Sequence, residues 1–518
     1  MSSESPRDSW RRLAAVLGAV ERRDPPESAE TCLDPEDPAV FRALAHDMLD
    51  AALDSLETHP ARPVWTPVPA EVRAALRGPV PVGPDGEARV CADIVRSILP
   101  YPTGNTHPRF FGWVHGAGTP VGVVADMVAA AMNANLGGRE HAAIHVERQV
   151  IEWCRSLFGF PEGASGLLLS GTSMATLVAL AVARHRATGG AVKRHGLACQ
   201  PAPLVGYGST EAHGSVTKAF QLLGLGGEAL RAVPVDAAYR MDVAALAREI
   251  GVDRRAGRQP FCIVANAGTV NTGAIDDLPA LADLCAAEGL WLHVDGAFGA
   301  LAALSESLRP RLAGVERADS LAFDFHKWMH VPYDAGCVLV RDGCAHRAAF
   351  ATRAAYLAST CEGLAGGEPW FCDYGPELSR GFRALKVWAT FRAYGTRRLG
   401  DSIAANCALA DYLAERVTAH PVLELMAPVS LAIVCLRYVA PGLAGAALNA
   451  LNAEIVTDLQ NSGVAVPSVT TLGDAKVIRV NITNHRTRRA DMDILLDEIV
   501  ATGTRLAEMK AGGRAMTG

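Results

Sequence analysis

Between residues 110 and 384, short apolar runs alternate with longer stretches of helical periodicity, and this alternation constrains the chain more than any other feature. It is the pattern of strands joined by helical crossovers, which pair into a mainly parallel sheet in an α/β fold. Candidate strands cover residues 166–169, 204–207, 261–265, 290–294, 320–323 and 335–340, with helices such as 174–186 and 278–288 between them. Sheets of this kind bind ligands beyond the carboxyl ends of their strands. Chemistry is therefore expected at those ends.

The flanks read differently. At 518 residues the chain has room for two or three domains. Residues 1–36 are polar and proline-containing and read as a tail. After the candidate cap Asp37, Val40, Phe41, Leu44, Met48, Leu49 and Leu53 recur at helical spacing, followed by proline-rich connections at 60–69 and 79–84. Residues 37–109 thus suit a helical segment draped over another surface, as in dimerisation. Residues 110–384 form the large domain. In residues 385–518 a helical stretch (378–417) gives way to a strand at 431–438, a helix at 443–462, a strand at 477–482 and a last helix at 490–504, with a frayed tail after Met509. That order describes a small α+β domain.

Composition narrows the function classes. The net charge is −6, charged residues make up 20% and the arginines form no basic stripe, so nucleic acid is not an expected partner. No apolar run is long enough for a membrane span, and the N-terminus lacks a signal-peptide core, which reads as cytoplasmic. The twelve cysteines are scattered without a CxxC pair, so neither a zinc site nor a disulfide framework is expected.

Only six of the 49 basic residues are lysine. Lys327, in Phe325-His326-Lys327-Trp328, stands 32 residues after Asp295 in His293-Val294-Asp295-Gly296-Ala297. A lysine amine condenses with an aldehyde, which a permanently protonated guanidinium cannot do. A buried aspartate upstream needs a cationic partner, and a pyridinium nitrogen supplies one. Alone, Lys327 reads equally as a side chain snorkelling from an apolar strand end. The turn Ser170-Gly171-Thr172-Ser173-Met174 reads either as a plain helix cap or as a phosphate seat. His213, past the second predicted strand, is either structural or able to stack on a pyridine ring. Thr269, past the third, could donate to a cofactor oxygen, while Asp276 and Asp277 read as helix-capping carboxylates.

Taken in order, these motifs resemble the group II pyridoxal-phosphate-dependent decarboxylases, the family of aromatic-L-amino-acid, glutamate and diaminobutyrate decarboxylases. The resemblance runs from about residue 38 to 505, through His107-Pro108-Arg109-Phe110-Phe111-Gly112, the Asp295 and Lys327 motifs, and Gly381-Phe382-Arg383-Ala384-Leu385-Lys386. It implies a fold-type I homodimer with shared active sites and an amino acid substrate, aromatic slightly favoured. By the same resemblance Lys327 carries pyridoxal 5'-phosphate as an imine and Asp295 pairs with the pyridine nitrogen. His213 and Ala297 cover the two ring faces, and Thr172, Ser173 and His326 hold the phosphate. Tyr356, 29 residues after Lys327, matches the loop tyrosine that protonates the decarboxylated carbon, and Trp113 and His115 fall where the family lines its substrate pocket.

Val270, Gly296 and Met174 depart from the familiar pattern, which loosens any transfer of substrate identity. The alternatives are a decarboxylation-dependent aldehyde synthase, another fold-type I lyase or aminotransferase, and an inactive scaffold. Tyr356 argues against the first, the order of motifs against the second, and retention of Lys327, Asp295 and His213 together against the third.

Overall fold

The computed structural model describes residues 32–352, 360 and 362–517. Tyr356 lies outside them. Helices α1 (Pro38–Thr58), α2 (Glu87–Ser97), α3 (Pro120–Met132) and α4 (Ala142–Leu157) lead into the first strand. Asp37 caps α1 as expected, its carboxylate accepting from the Ala39 and Val40 amides. Leu44 of α1 and Ala92 of α2 are buried in a small cluster of their own, apart from the main core.

The large sheet holds β1 (Ser165–Leu169), β2 (Leu204–Ser209), β3 (Leu230–Val233), β4 (Gln259–Asn266), β5 (Trp291–Asp295), β6 (Ser320–Asp324) and β7 (Gly336–Val340). Their order is β1-β7-β6-β5-β4-β2-β3, with β7 antiparallel to both neighbours and the remaining pairs parallel. This is the mainly parallel α/β sheet that the sequence predicts, with β3 added to the six expected strands. Near-continuous apolar runs such as Phe261–Ala265 are buried throughout, as strands covered on both faces must be. Helices α5 (Thr172–Ala187), α6 (Gly214–Leu222) and α7 (Leu278–Glu288) lie among the crossovers, and a single turn, α8 (Phe325–Trp328), follows β6 directly.

The long helix α9 (Ala384–Ala419), broken at Gly395 where φ is 69°, leads to a second sheet. It contains β8 (Leu423–Leu425), β9 (Ile433–Tyr438), β10 (Ser468–Leu472) and β11 (Ala475–Asn481) in the order β10-β11-β9-β8. Helices α10 (Gly445–Ser462) and α11 (Arg489–Thr517) complete it. The last helix continues past Met509, where the sequence suggests fraying.

Two features of the fold deliver residues to one place. The central parallel strands β2, β4, β5 and β6 end on Ser209, Asn266, Asp295 and Asp324. Asn266 and Asp295 are paired in register, and the Asn266 amide donates to Ser209 Oγ at 3.2 Å. The segment before α3 is then pinned by β11 and the chain that follows it. Asn484 donates to the carbonyls of Asn105, Thr106 and His107, Thr487 to Pro108, Arg479 to Trp113 and Thr483 to His115. Gly116 lets this segment press onto α8, because a Cβ there would collide with the carbonyls of His326 and Lys327.

Candidate active site

The strand ends and the pinned segment enclose a cavity of about 560 Å³. One end is the start of α5: Ser170, Gly171, Thr172, Ser173 and Met174 line it, together with Asp324 and His326. Backbone N–H groups at a helix start attract anions. Thr172 Oγ1 is buried there without a hydrogen-bond partner, an orphan that a phosphate oxygen would satisfy.

Asp295 sits in the middle, buried, with Oδ1 accepting from the Ala297 amide at 3.0 Å. Burial pushes its carboxyl above the ordinary range, opposed by that amide and by the charges of Lys327 and His213. An aspartate in this condition is one that a cationic ring nitrogen would stabilise. His213 caps α6. Its Nδ1 accepts from the Ser215 amide at 3.2 Å and lies 2.7 Å from Ser215 Oγ, contacts that fix the imidazole plane. Lys327 reaches in from α8 with Nζ 2.9 Å from Asp324 Oδ2. Ala297 lines the same space.

The remaining wall contains Trp113, Val114, Tyr333, Ser468, Thr470 and Arg479. Arg479 is 3% exposed, and its guanidinium donates to the carbonyls of Trp113 (2.8 Å) and Asn271 (3.1 Å) while Nη2 is buried without a partner. Burial brings this group down to about 10. A buried cation lacking a carboxylate partner, at the wall of a cavity, is suited to an anionic ligand.

The structure thus gathers Lys327, Asp295, His213, Ala297, Thr172, Ser173, His326 and Trp113 around one cavity. Three expectations need correction. Thr269 does not line it: its hydroxyl is 3.0 Å from Thr272 Oγ1 and accepts the Ala274 amide within a tight turn, and Gly268, Val270 and Asn271 line the cavity instead. His115 stands behind the wall, with Nδ1 3.1 Å from the Tyr333 hydroxyl, and burial lowers its pKa, helped by the charges of Lys327 and His326. Asp277 caps α7, but Asp276 is buried and accepts from the backbone amides of Asn266 and Met241, tying β4 to the chain after β3. Asp324, Arg479 and Tyr333 are the site residues that sequence reasoning missed. A carboxylate three residues before the lysine, and a lone arginine in the apolar run Val477-Ile478-Arg479-Val480, were the available signals.

Residues 69–439 match the profile described as the pyridoxal-dependent decarboxylase conserved domain. The chain belongs to this family. The decarboxylase is 35% identical over 467 residues to the aromatic-L-amino-acid decarboxylase of Bacillus atrophaeus, covering 89% of this chain and 95% of that one. It is 31% identical to the histidine decarboxylase of Mus musculus, covering 87% and 69%. Among solved structures it resembles Oryza sativa TDC, crystallised with PLP and tryptamine, at a TM-score of 0.84 and 26% identity over 92% of this chain and all of that one. Mouse CSAD matches at 0.84 and 27%, covering 90% and 99%. The decarboxylase is therefore a pyridoxal-phosphate-dependent carboxy-lyase of fold-type I architecture. No helix among its described residues is long and apolar enough to cross a membrane.

Proposed function

We propose that this enzyme decarboxylates an L-amino acid, preferring an aromatic side chain, to the amine and carbon dioxide. The observation that carries this reading is the meeting of Lys327, Asp295 and His213 in one cavity with a helix start whose buried Thr172 hydroxyl is unsatisfied. Bound pyridoxal phosphate supplies an electron sink for the charge left when carbon dioxide departs. The chain supplies the rest. Asp295 would keep the pyridine nitrogen protonated, and His213 and Ala297 would hold the ring. Thr172, Ser173 and His326 hold the phosphate. Lys327 would hold the cofactor through its aldehyde, and Tyr356 would supply the proton to Cα.

Arg479 receives the substrate carboxylate, which fills the vacancy at Nη2 and orients the bond that breaks. The aromatic preference rests on Trp113 and Tyr333, which line the same cavity. The test is incubation with pyridoxal phosphate and a panel of L-amino acids, measuring carbon dioxide and amine. Aromatic members should be turned over, and no carbon dioxide from any member would sink the reading. In the same assay Arg479→Met should raise KM about 10- to 100-fold, with a smaller change in kcat, because it deletes one partner of a buried charge pair.

We further propose a homodimer whose active sites draw on both subunits. Trp113 is 54% exposed although it lines the cavity, so one side of the site is open in a single chain. Val124, Met127, Val128 and Met132 of α3 and Val40 and Phe41 of α1 are also exposed, and a second copy of the chain would cover such apolar surface. Sedimentation at working concentrations should give a dimer. A fully active monomer contradicts the proposal.

A further inference from the structure

We infer that Asp324 is an internal anion that occupies one seat of the phosphate cradle, so that it sets how tightly phosphate is held. The inference rests on reading the start of α5 as the phosphate seat, as proposed above. Asp324 ends β6 and is 3% exposed. Its Oδ1 accepts from the amide of Thr172, the first residue of α5, at 2.7 Å. Its Oδ2 lies 2.9 Å from Lys327 Nζ and 3.6 Å from His326 Nε2.

The carboxylate is held in this position from behind. At Gly336, across the β6–β7 pair, an added Cβ would lie 2.6 Å from Asp324 Oδ1 and 2.5 Å from Gly171 Cα. Only a residue without a side chain lets the strand end and the helix start approach this closely.

The seat is thus half taken. The leading amide is spent on an internal carboxylate, while the Thr172 hydroxyl at the same turn has no partner. A phosphate that takes this hydroxyl meets a fixed negative charge a few ångströms away in surroundings that screen it poorly. It either shares the Thr172 amide with Asp324 or displaces the carboxylate from it. Lys327 is the counter-charge of Asp324, so the residue that bonds the aldehyde and the residue that opposes the phosphate are one ion pair. In this chain the phosphate therefore contributes less to cofactor retention than the geometry of the helix start would give.

The test uses full-length protein stripped of cofactor and calorimetric titration with inorganic phosphate. Asp324→Asn keeps the shape and removes the charge, and should tighten phosphate binding about tenfold or more. The ratio of dissociation constants for pyridoxal over pyridoxal phosphate should widen by a similar factor. Asp401→Asn, which changes an exposed carboxylate outside the cavity, should leave phosphate affinity within about twofold. If Asp324→Asn does not fold, Asp324→Ser makes the same comparison. Unchanged or weaker phosphate binding in a folded Asp324 variant overturns the inference, because Asp324 would then organise the seat without opposing its ligand. Failure of the underlying reading has another signature: neither the parent nor any variant binds phosphate or pyridoxal phosphate.

Discussion

Asp295→Asn is expected to lower kcat by about 10²- to 10³-fold, because a neutral amide cannot keep the pyridine nitrogen protonated and the electron sink is lost. The same change should stabilise the protein when stripped of cofactor. With the cavity empty, burial raises the Asp295 carboxyl. The folded state therefore keeps a proton that the unfolded chain releases near its ordinary value of about 3.9. Stability falls as pH rises from there through the raised folded value, so at about pH 7 the parent carries a cost that the asparagine variant lacks. Thermal unfolding with and without pyridoxal phosphate separates the two effects. Near-parent turnover in Asp295→Asn would mean that the ring nitrogen is not held as proposed.

Tyr356→Phe should keep the loss of carbon dioxide but change the product from amine to aldehyde. Without the phenolic proton, the decarboxylated carbon stays open to dioxygen. One dioxygen and one water then convert each substrate molecule to aldehyde, carbon dioxide, ammonia and hydrogen peroxide. Tyr356 follows Lys327 by 29 residues, and this spacing, together with the family resemblance, carries the expectation. Mass spectrometry of the products under air, alongside a peroxide assay, checks it. Amine made as cleanly and as fast as by the parent would move the proton donor elsewhere, with His213 the next candidate.

The elements that sequence patterns made legible are those whose burial is uniform. The apolar residues of β4, β5 and β6 left little choice of element, and the aspartate ending β5 marked the site. Strands outside that regime escaped notice. β3 is a four-residue edge strand with Arg231 inside it, and β10 alternates through serine and threonine with few apolar residues. The helical stretch before the second sheet was legible, but its break at Gly395 was not, since a lone glycine is tolerated in many helices. At the site, Lys327 and Asp295 announced themselves by residue type and spacing. Arg479 and Asp324 did not, because what makes them functional is a partner that each has or lacks across the fold: the unfilled Nη2 of one and the Thr172 amide bound by the other. Thr269 was overread for the same reason, its hydroxyl being engaged within its own turn.

The central claim is that Lys327, in contact with Asp324 and facing the same cavity as Asp295, is the residue that bonds the cofactor aldehyde. Borohydride reduction of the yellow holoenzyme, followed by proteolysis and peptide mapping, tests it most directly. The pyridoxyl group should be found on the peptide containing Lys327. Labelling mainly at Lys386, whose amine pairs with Asp126, or at Lys218 on α6 would contradict the account.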